Sequence, residues 1–419
     1  MIKRTLNEFI KKSRKYQMKN KEIVRYIRMK ITFLVYNIYG MGGTVRTVVN
    51  TANYFASQNY DVEIVSVRRT SAKPMFDINK KVKLNPIFDA RRGKLFGRNT
   101  PLYQKVIKKI LLKMPSYFID KSEDLYHMFN LFVDFKIIAA LKKINEGILI
   151  TTIPSFNILA TRFVSNNVIK IGQEHKYFGG HEKCLQNKIE KYYGKLDALT
   201  CLTDSEISDY QSLLKGTGVT LYKVENATAV PKEIAALDKK VVIAAGRYVP
   251  QKGFDLLVPA FSKVIEKYPD WKLKIFGSGE DEQLLRQQIF DYKAYNNIFL
   301  MPKTNDIIGE MLNSSIYVLS SRYEPFGMVI IEAMSVGVPC VSFACTGPVE
   351  IIKNKEDGLL VEEGNIDELA NSLMTLMEFE ELRKEYGRRA KKNVERYTFN
   401  VVGDKWENIL EEQVQKKLK

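Results

Sequence analysis

KITFLVYNIYGMGGTVRTVVNTANYFASQNYDVEIVSV, residues 30–67, decides the fold. Residues 31–37 form a short, nearly continuous apolar run, the kind that makes a strand buried on both faces of a parallel sheet. YGMGGT is a glycine-rich turn. From Val45 to Ser57 the apolar side chains fall at helical spacing: Val45, Val48, Val49, Ala52, Phe55 and Ala56. VEIVSV returns to a strand. Strand, glycine turn, helix and strand make a βαβ unit, because parallel neighbours need a crossover between them. Such a unit opens a doubly wound α/β sheet.

The pattern continues outward. GILITTI (147–153), VIKIGQ (168–173) and ALTCLT (198–203) read as further strands. FKIIAALKKI and DSEISDYQSLLK read as helices between them, the second with Asp204 as its N-cap. ATAVPKEIAALDKK (227–240) has no firm periodicity and reads as a linker. A second series follows it. KVVIAAGRY, WKLKIFGSG, NIFLMP, IYVLSS and CVSFA are strands, and GFDLLVPAFSKVIEKYP and EDEQLLRQQIFDY are helices. The expected architecture is two Rossmann-like doubly wound domains facing a cleft, with ligands at the carboxyl ends of the strands. The expected boundaries are a basic leader over 1–30, an N-terminal domain over 31–230 and a C-terminal domain over 231–395. Helices over 396–419 are expected to pack back on the N-terminal domain.

Composition agrees with that division. A chain of 419 residues exceeds one ordinary core, and domain sizes suggest roughly two or three. No apolar run reaches the ~20 residues that span a bilayer, and the basic start lacks a signal-peptide core. Cys184, Cys201, Cys340 and Cys345 have neither zinc-site nor CxxC spacing, so a reduced, cytoplasmic protein is expected. Cys340 and Cys345 sit at an apolar strand and read as core.

The net charge of +17 calls for an anionic partner. No aromatic–basic repeat or nucleic-acid motif accompanies it, which argues against DNA or RNA. The charge gathers in the leader and in RRGKLFGRNTPLYQKVIKKILLKM, 91–114. From Tyr103 the second cluster reads as a helix, with Val106, Ile107, Ile110 and Leu111 on one side and Lys105, Lys108, Lys109 and Lys113 on the others. Such a helix either lies on anionic lipid or turns its apolar stripe into the core. The leader either lies on a membrane, touches a phosphate-rich acceptor, or is poorly ordered.

Chemistry concentrates in the loops of the second half. GRYVPQKGFDLL (246–257) puts Arg247 and Lys252 on one strand end, two cations suited to a diphosphate. In FGSGEDEQL, Gly277 and Gly279 either approach a ligand or only permit close packing. SRYEPFGMVIIEAMSVGVPCV (321–341) places Glu324 at a strand tip. Phe326, Gly327, Met328 and Val329 then offer amide N–H groups at a helix N-terminus, which favours anions. Glu332 lies about one turn further on. Carboxylates accept hydrogen bonds from sugar hydroxyls, and a nucleotide-sugar has parts to match each of these groups.

The E-x7-E pair in that stretch resembles the signature of retaining glycosyltransferase family 4, of the GT-B fold. GRYVPQKGFDLL, FGSGEDEQL, TGPVEII and the GMGGTVR turn also fit that family, in order, over about residues 31–410. The wording YGMGGTVRTVVNTANYF is similar to that of Gram-positive cell-wall enzymes of the poly(glycerol phosphate) glucosyltransferase type. The resemblance implies that Glu324 holds the transferred sugar and Glu332 the ribose. It implies that Arg247, Lys252 and the amides of Gly327, Met328 and Val329 hold the diphosphate, with Gly42 and Gly43 approaching from the other domain. His175, in IGQEHKYF, matches a histidine that contacts the sugar near the reacting carbon. Glu350 either binds donor or caps a helix. His127 and His181 read as ordinary packed or surface histidines.

The implied reaction is transfer of glucose, N-acetylglucosamine or galactose from a UDP-sugar to a glycopolymer or lipid-linked acceptor. It retains configuration, with no cofactor and no metal. An anionic membrane surface is a further expected partner, on the inner face of the cell membrane. A UDP-sugar epimerase and a non-catalytic accessory subunit are the competing classes.

Overall fold

A computed structural model describes residues 29–91 and 101–418. The leader up to residue 28 and residues 92–100 of the second basic cluster lie outside the described residues. The chain divides into two compact units. One runs to Val224 and resumes at Gly403; the other is Glu225–Val402.

The first unit holds seven parallel strands: β1 Lys30–Val35, β2 Asp61–Ser66, β3 Lys83–Pro86, β4 Ile148–Thr151, β5 Ile169–Gln173, β6 Ala198–Cys201 and β7 Thr220–Lys223. Their order is β3-β2-β1-β4-β5-β6-β7. Phe33 of β1 stands in register between Ile64 of β2 and Ile150 of β4. An all-parallel sheet is covered on both faces. On one face Leu34, Val65 and Leu149 pack with Phe156, and Leu199, on that same face by register through β5, packs with Ile158, Leu185 and Tyr210. Phe33, Ile64 and Ile150 are buried on the opposite face.

From Gly403 the last helix, Phe399–Leu418, belongs to this unit. Any Cβ at Gly403 would sit 2.2 Å from the Tyr54 ring, so only glycine permits that approach. Trp406 meets Phe55 edge to face, and Gln413 donates to the Tyr222 hydroxyl at 2.9 Å.

The second unit holds six parallel strands: β8 Val241–Arg247, β9 Lys272–Ser278, β10 Ile298–Met301, β11 Ile316–Leu319, β12 Cys340–Phe343 and β13 Gly358–Val361. Their order is β10-β9-β8-β11-β12-β13. In both sheets the order reverses beside the first strand, between β1 and β4 and between β8 and β11. Sheets of this kind bind ligands at such switch points.

Three edge or outer strands, β3, β7 and β13, were not expected from the sequence. Each is four residues long, and the run of β3 is polar and ends in proline, as edge strands are. The expected cap at Asp204 is corrected. The N-cap is Thr203, whose hydroxyl accepts from the Glu206 amide at 3.3 Å, while the Glu206 carboxylate reaches back to the Leu202 amide at 2.8 Å. A hydroxyl one residue earlier captures the free amide, and Asp204 becomes the first helical residue. Cys340 and Cys345 are buried and free.

Candidate functional site

The site in the second unit is built by three loops that leave neighbouring strands. After β8, the 3-10 turn Pro250–Lys252 runs into Gly253, whose φ is +62°. A Cβ there would lie 1.9 Å from the Ser320 carbonyl, so the first loop presses its backbone against the second. Polar contacts reinforce the join. Ser320 Oγ donates to the Lys252 carbonyl at 3.0 Å, the Arg322 amide to the Gln251 carbonyl at 2.9 Å, and Gln251 Nε2 to the Tyr323 carbonyl at 3.0 Å.

This stitching sets Lys252 Nζ 2.5 Å from Glu324 Oε2. The two side chains are 15% and 12% exposed, so the pair stands at the rim of the sheet with limited access to water. Ser321 Oγ offers a weaker bond to the same oxygen at 3.4 Å. The Glu324 carbonyl accepts from the Gly347 amide at 2.9 Å, which ties in the loop after β12.

The helix Met328–Ser335 begins three residues beyond Pro325. Its N-cap is Gly327, at φ +106°, a conformation that side chains resist. The amides of Met328 and Val329 belong to its first turn and have no intrahelical acceptor. Phe326 is buried, with its ring edge against Tyr397. Glu332 lies one turn into the helix and is only 2% exposed. Arg247 is exposed at the end of β8. Gly277 stands in register with Gly246, and a Cβ on it would lie 1.9 Å from the Gly246 carbonyl. Contact between strands therefore already demands that glycine. Glu350 is half-buried, and its carbonyl accepts from Arg396 at 3.0 Å.

One structural pair escaped the sequence reading. Arg322 forms a fork with Asp255, at 2.8 and 2.6 Å, and a third bond to the Pro250 carbonyl at 2.6 Å. Asp255 is in the first turn of the helix Phe254–Lys267, where a carboxylate complements the helix dipole. Pro259 cannot donate to the Asp255 carbonyl, and Gln288 Nε2 does so instead at 3.2 Å. Arg322 is two residues from Glu324, so this fork holds the base of the Glu324 loop. The sequence signal was the proximity of Arg322 to Glu324; its partner, 67 positions away, was invisible.

In the first unit, Gly42 caps the helix Gly43–Ser57, and both glycines are exposed with open space where side chains would stand. His175 follows β5. Its Nε2 is shielded from solvent and has no partner among the described residues. Burial pushes its pKa down to about 4, so the imidazole is neutral at neutral pH. The preceding Glu174 points inward, to Asn157 Nδ2 at 3.0 Å and to the Tyr193 hydroxyl. His181 is buried with Nε2 3.8 Å from Glu174 Oε2, and His127 is exposed.

Two parallel sheets, each reversing order beside its first strand, are the architecture of the GT-B glycosyltransferases. Residues 226–393 match the family described as glycosyl transferases group 1. An uncharacterized glycosyltransferase of Haemophilus influenzae is 30% identical over 387 residues, covering 91% of this chain and 99% of that protein. The chain belongs to this glycosyltransferase family. A poly(glycerol-phosphate) alpha-glucosyltransferase of Bacillus subtilis is 26% identical over 249 residues, 58% of this chain and 37% of that longer protein. A crystal structure of an S. aureus TarM mutant, in complex with fondaparinux, alpha-GlcNAc-glycerol and UDP, has the same fold. Its TM-score is 0.72 at 19% identity, over 91% of this chain and 99% of that one.

Proposed function

We propose that this protein is a retaining glycosyltransferase that moves a hexose from a UDP-sugar to a cell-surface glycopolymer or a lipid-linked acceptor. The observation that carries the reading is the meeting of Lys252, Glu324 and the N-terminus of the helix Met328–Ser335 at the switch point of the second sheet. A cation, a carboxylate and free amides in one place suit a donor that joins a diphosphate to a polyol. The relatives support the choice of acceptor. One is named for poly(glycerol-phosphate), and the TarM crystal contains UDP with a glycosylated glycerol.

In this reading Arg247, Lys252 and the amides of Gly327, Met328 and Val329 take the diphosphate. Glu324 accepts hydrogen bonds from the sugar. Glu332, nearly withdrawn from water, bonds the ribose hydroxyls, where low dielectric strengthens each bond. His175, neutral at neutral pH, can exchange hydrogen bonds with a sugar hydroxyl. The acceptor hydroxyl attacks the face from which the diphosphate departs, and a departing phosphate oxygen takes its proton. Configuration is kept without a carboxylate nucleophile. The protein acts by stabilising negative charge on the leaving group; loss of one such group typically costs ~10²–10³ in rate. Two cations and a helix terminus supply that stabilisation with no metal.

The test is UDP release from UDP-glucose, UDP-N-acetylglucosamine and UDP-galactose, with poly(glycerol phosphate) or lipid-linked acceptors present or absent, and with or without a chelator. Release from one sugar, stimulated by one acceptor and indifferent to the chelator, is expected, with the product anomer read by NMR. Rearranged donor without acceptor dependence would make the protein an epimerase. Absence of both release and UDP binding would leave only the accessory-subunit class.

A further inference from the structure

The helix Leu102–Lys113 shows most of its apolar side chains to water. None of its residues is buried. Leu102, Tyr103, Val106, Ile107 and Ile110 project into solvent, at exposures from 48% for Val106 to 78% for Leu102. At about 3.6 residues per turn they share one face. The opposite face meets the helix Leu131–Leu141 and carries a lysine: Lys108 Nζ lies 4.9 Å from the centre of the Phe132 ring. Leu112 packs beside it against the core. Burial and the nearby Lys136 hold Lys108 below the usual lysine range. An ordinary surface helix would turn its apolar stripe to the core; here Val106, Ile107 and Ile110 face out, while Lys108 and Leu112 face in.

The arrangement is held firmly. Beyond the helix, Ser116 Oγ donates to Asp134 Oδ1 at 2.7 Å, and the Tyr117 and Phe118 amides donate to Oδ2 at 2.7 and 3.2 Å. Asp134 is fully buried. The Leu131 amide also donates to the Met114 carbonyl at 3.1 Å. Met114 and Tyr117, the latter 81% exposed, extend the apolar stripe past the helix end. Lys109 and Lys113 are exposed along one flank of the stripe.

We infer that this face docks on an anionic lipid bilayer, with the apolar stripe in the interface and Lys109 and Lys113 at the headgroup phosphates. Both halves of the partner's chemistry follow from the surface. A phosphate polymer would satisfy the lysines but leave the stripe in water. A neutral apolar partner would satisfy the stripe but leave the lysines unmatched. An interface of acyl chains beneath phosphates satisfies both, and amphipathic helices bind there through buried area plus charge. The inference stands independently of the donor-site reading, because it uses none of those residues.

The full chain should be sedimented with vesicles of phosphatidylcholine alone and of phosphatidylcholine mixed with phosphatidylglycerol. Binding to the mixed vesicles is expected, weakened by salt. The double variant Ile107→Glu, Ile110→Glu should bind at least tenfold more weakly, and Lys109→Glu with Lys113→Glu should weaken binding too. All these side chains are exposed, so folding should be unaffected, and circular dichroism checks it. In a second measurement, Ile107→Trp should shift its emission to the blue only with the anionic vesicles. Undiminished vesicle binding by the Ile107→Glu, Ile110→Glu variant would assign adsorption to basic residues elsewhere in the chain and overturn the proposal. So would a change of that variant from oligomer to monomer with vesicle binding intact, which would make the face a contact between copies.

Discussion

Lys252 Nζ stands 2.5 Å from Glu324 Oε2, although the residues are 72 positions apart. They leave the adjacent strands β8 and β11, where the order of the second sheet reverses. In the proposed function, a diphosphate arriving at this point would compete with Glu324 for the same ammonium. Lys252 would then turn to phosphate and free Glu324 to accept from sugar hydroxyls, so that donor binding would prepare the carboxylate for the sugar.

That exchange separates the two residues experimentally. Glu324→Gln should reduce transfer by at least ~10²-fold while UDP binding holds or tightens, because Lys252 is released. Lys252→Ala should remove transfer and also weaken UDP binding. Isothermal titration with UDP, beside a transfer assay on folded variants, reads both. Normal transfer by either variant would remove the pair from the site.

Arg322 and Asp255 act through position. Replacing either leaves a partly buried charge without its fork, and hydrogen bonds to charged groups contribute about 1.5–3 kcal/mol. Asp255→Asn should therefore lower the melting temperature and reduce kcat more than it raises the donor KM, as the Glu324 loop loses its support. A variant with unchanged kcat would show that the loop holds its geometry without the fork.

The chain has three histidines, so NMR can follow each imidazole. His175 should titrate near pH 4, far below the ordinary value of 6.5, because burial disfavours its charged form. The sign for stability follows. The unfolded chain takes up this proton below pH 6.5 and the folded chain does not, so the contribution is fully present above pH 6.5. It is lost as pH falls from 6.5 to about 4. A His175 resonance that titrates near 6.5 would place the imidazole in water.

Glu206 works in the opposite sense. Burial raises its pKa from 4.5 to about 7, and its Oε1 has no partner among the described residues. The folded state favours the proton, so stability from this group is present below pH 4.5 and is lost as pH rises towards 7. Glu206→Gln keeps an acceptor for the Leu202 amide and removes the buried charge. It should stabilise the protein more at pH 8 than at pH 5, by up to about 3 kcal/mol. Melting curves at the two pH values test this, and an equal effect at both would contradict it.

Much of the second unit was legible in the chain. Strands buried on both faces write themselves as apolar runs, and β8, β9, β11 and β12 each fell where such a run predicts. That Lys252 and Glu324 stand on loops at strand ends was legible as well, because a loop that must turn tightly carries its glycines beside its charged residues. The edge strands β3 and β7 were not, since a half-solvated strand of four residues has no distinctive composition; β13 is a largely buried apolar run that is only four residues long. Thr203 displaced Asp204 as a cap through a difference of one residue, below what periodicity resolves.

The sequence by itself determined that this chain alternates strands and helices in two halves, and which loops carry cations, carboxylates and glycines. Those properties are local: each rests on residues within about one turn or one strand of each other. Only the tertiary structure decided which charges meet. Lys252 faces Glu324 and Arg322 faces Asp255 because the sheet order sets β8 beside β11. It also decided which face of the helix Leu102–Lys113 meets water, because the helix Leu131–Leu141 takes Lys108 inward over Phe132. Spacing shows that a helix has two faces, and its neighbours decide which one the protein covers.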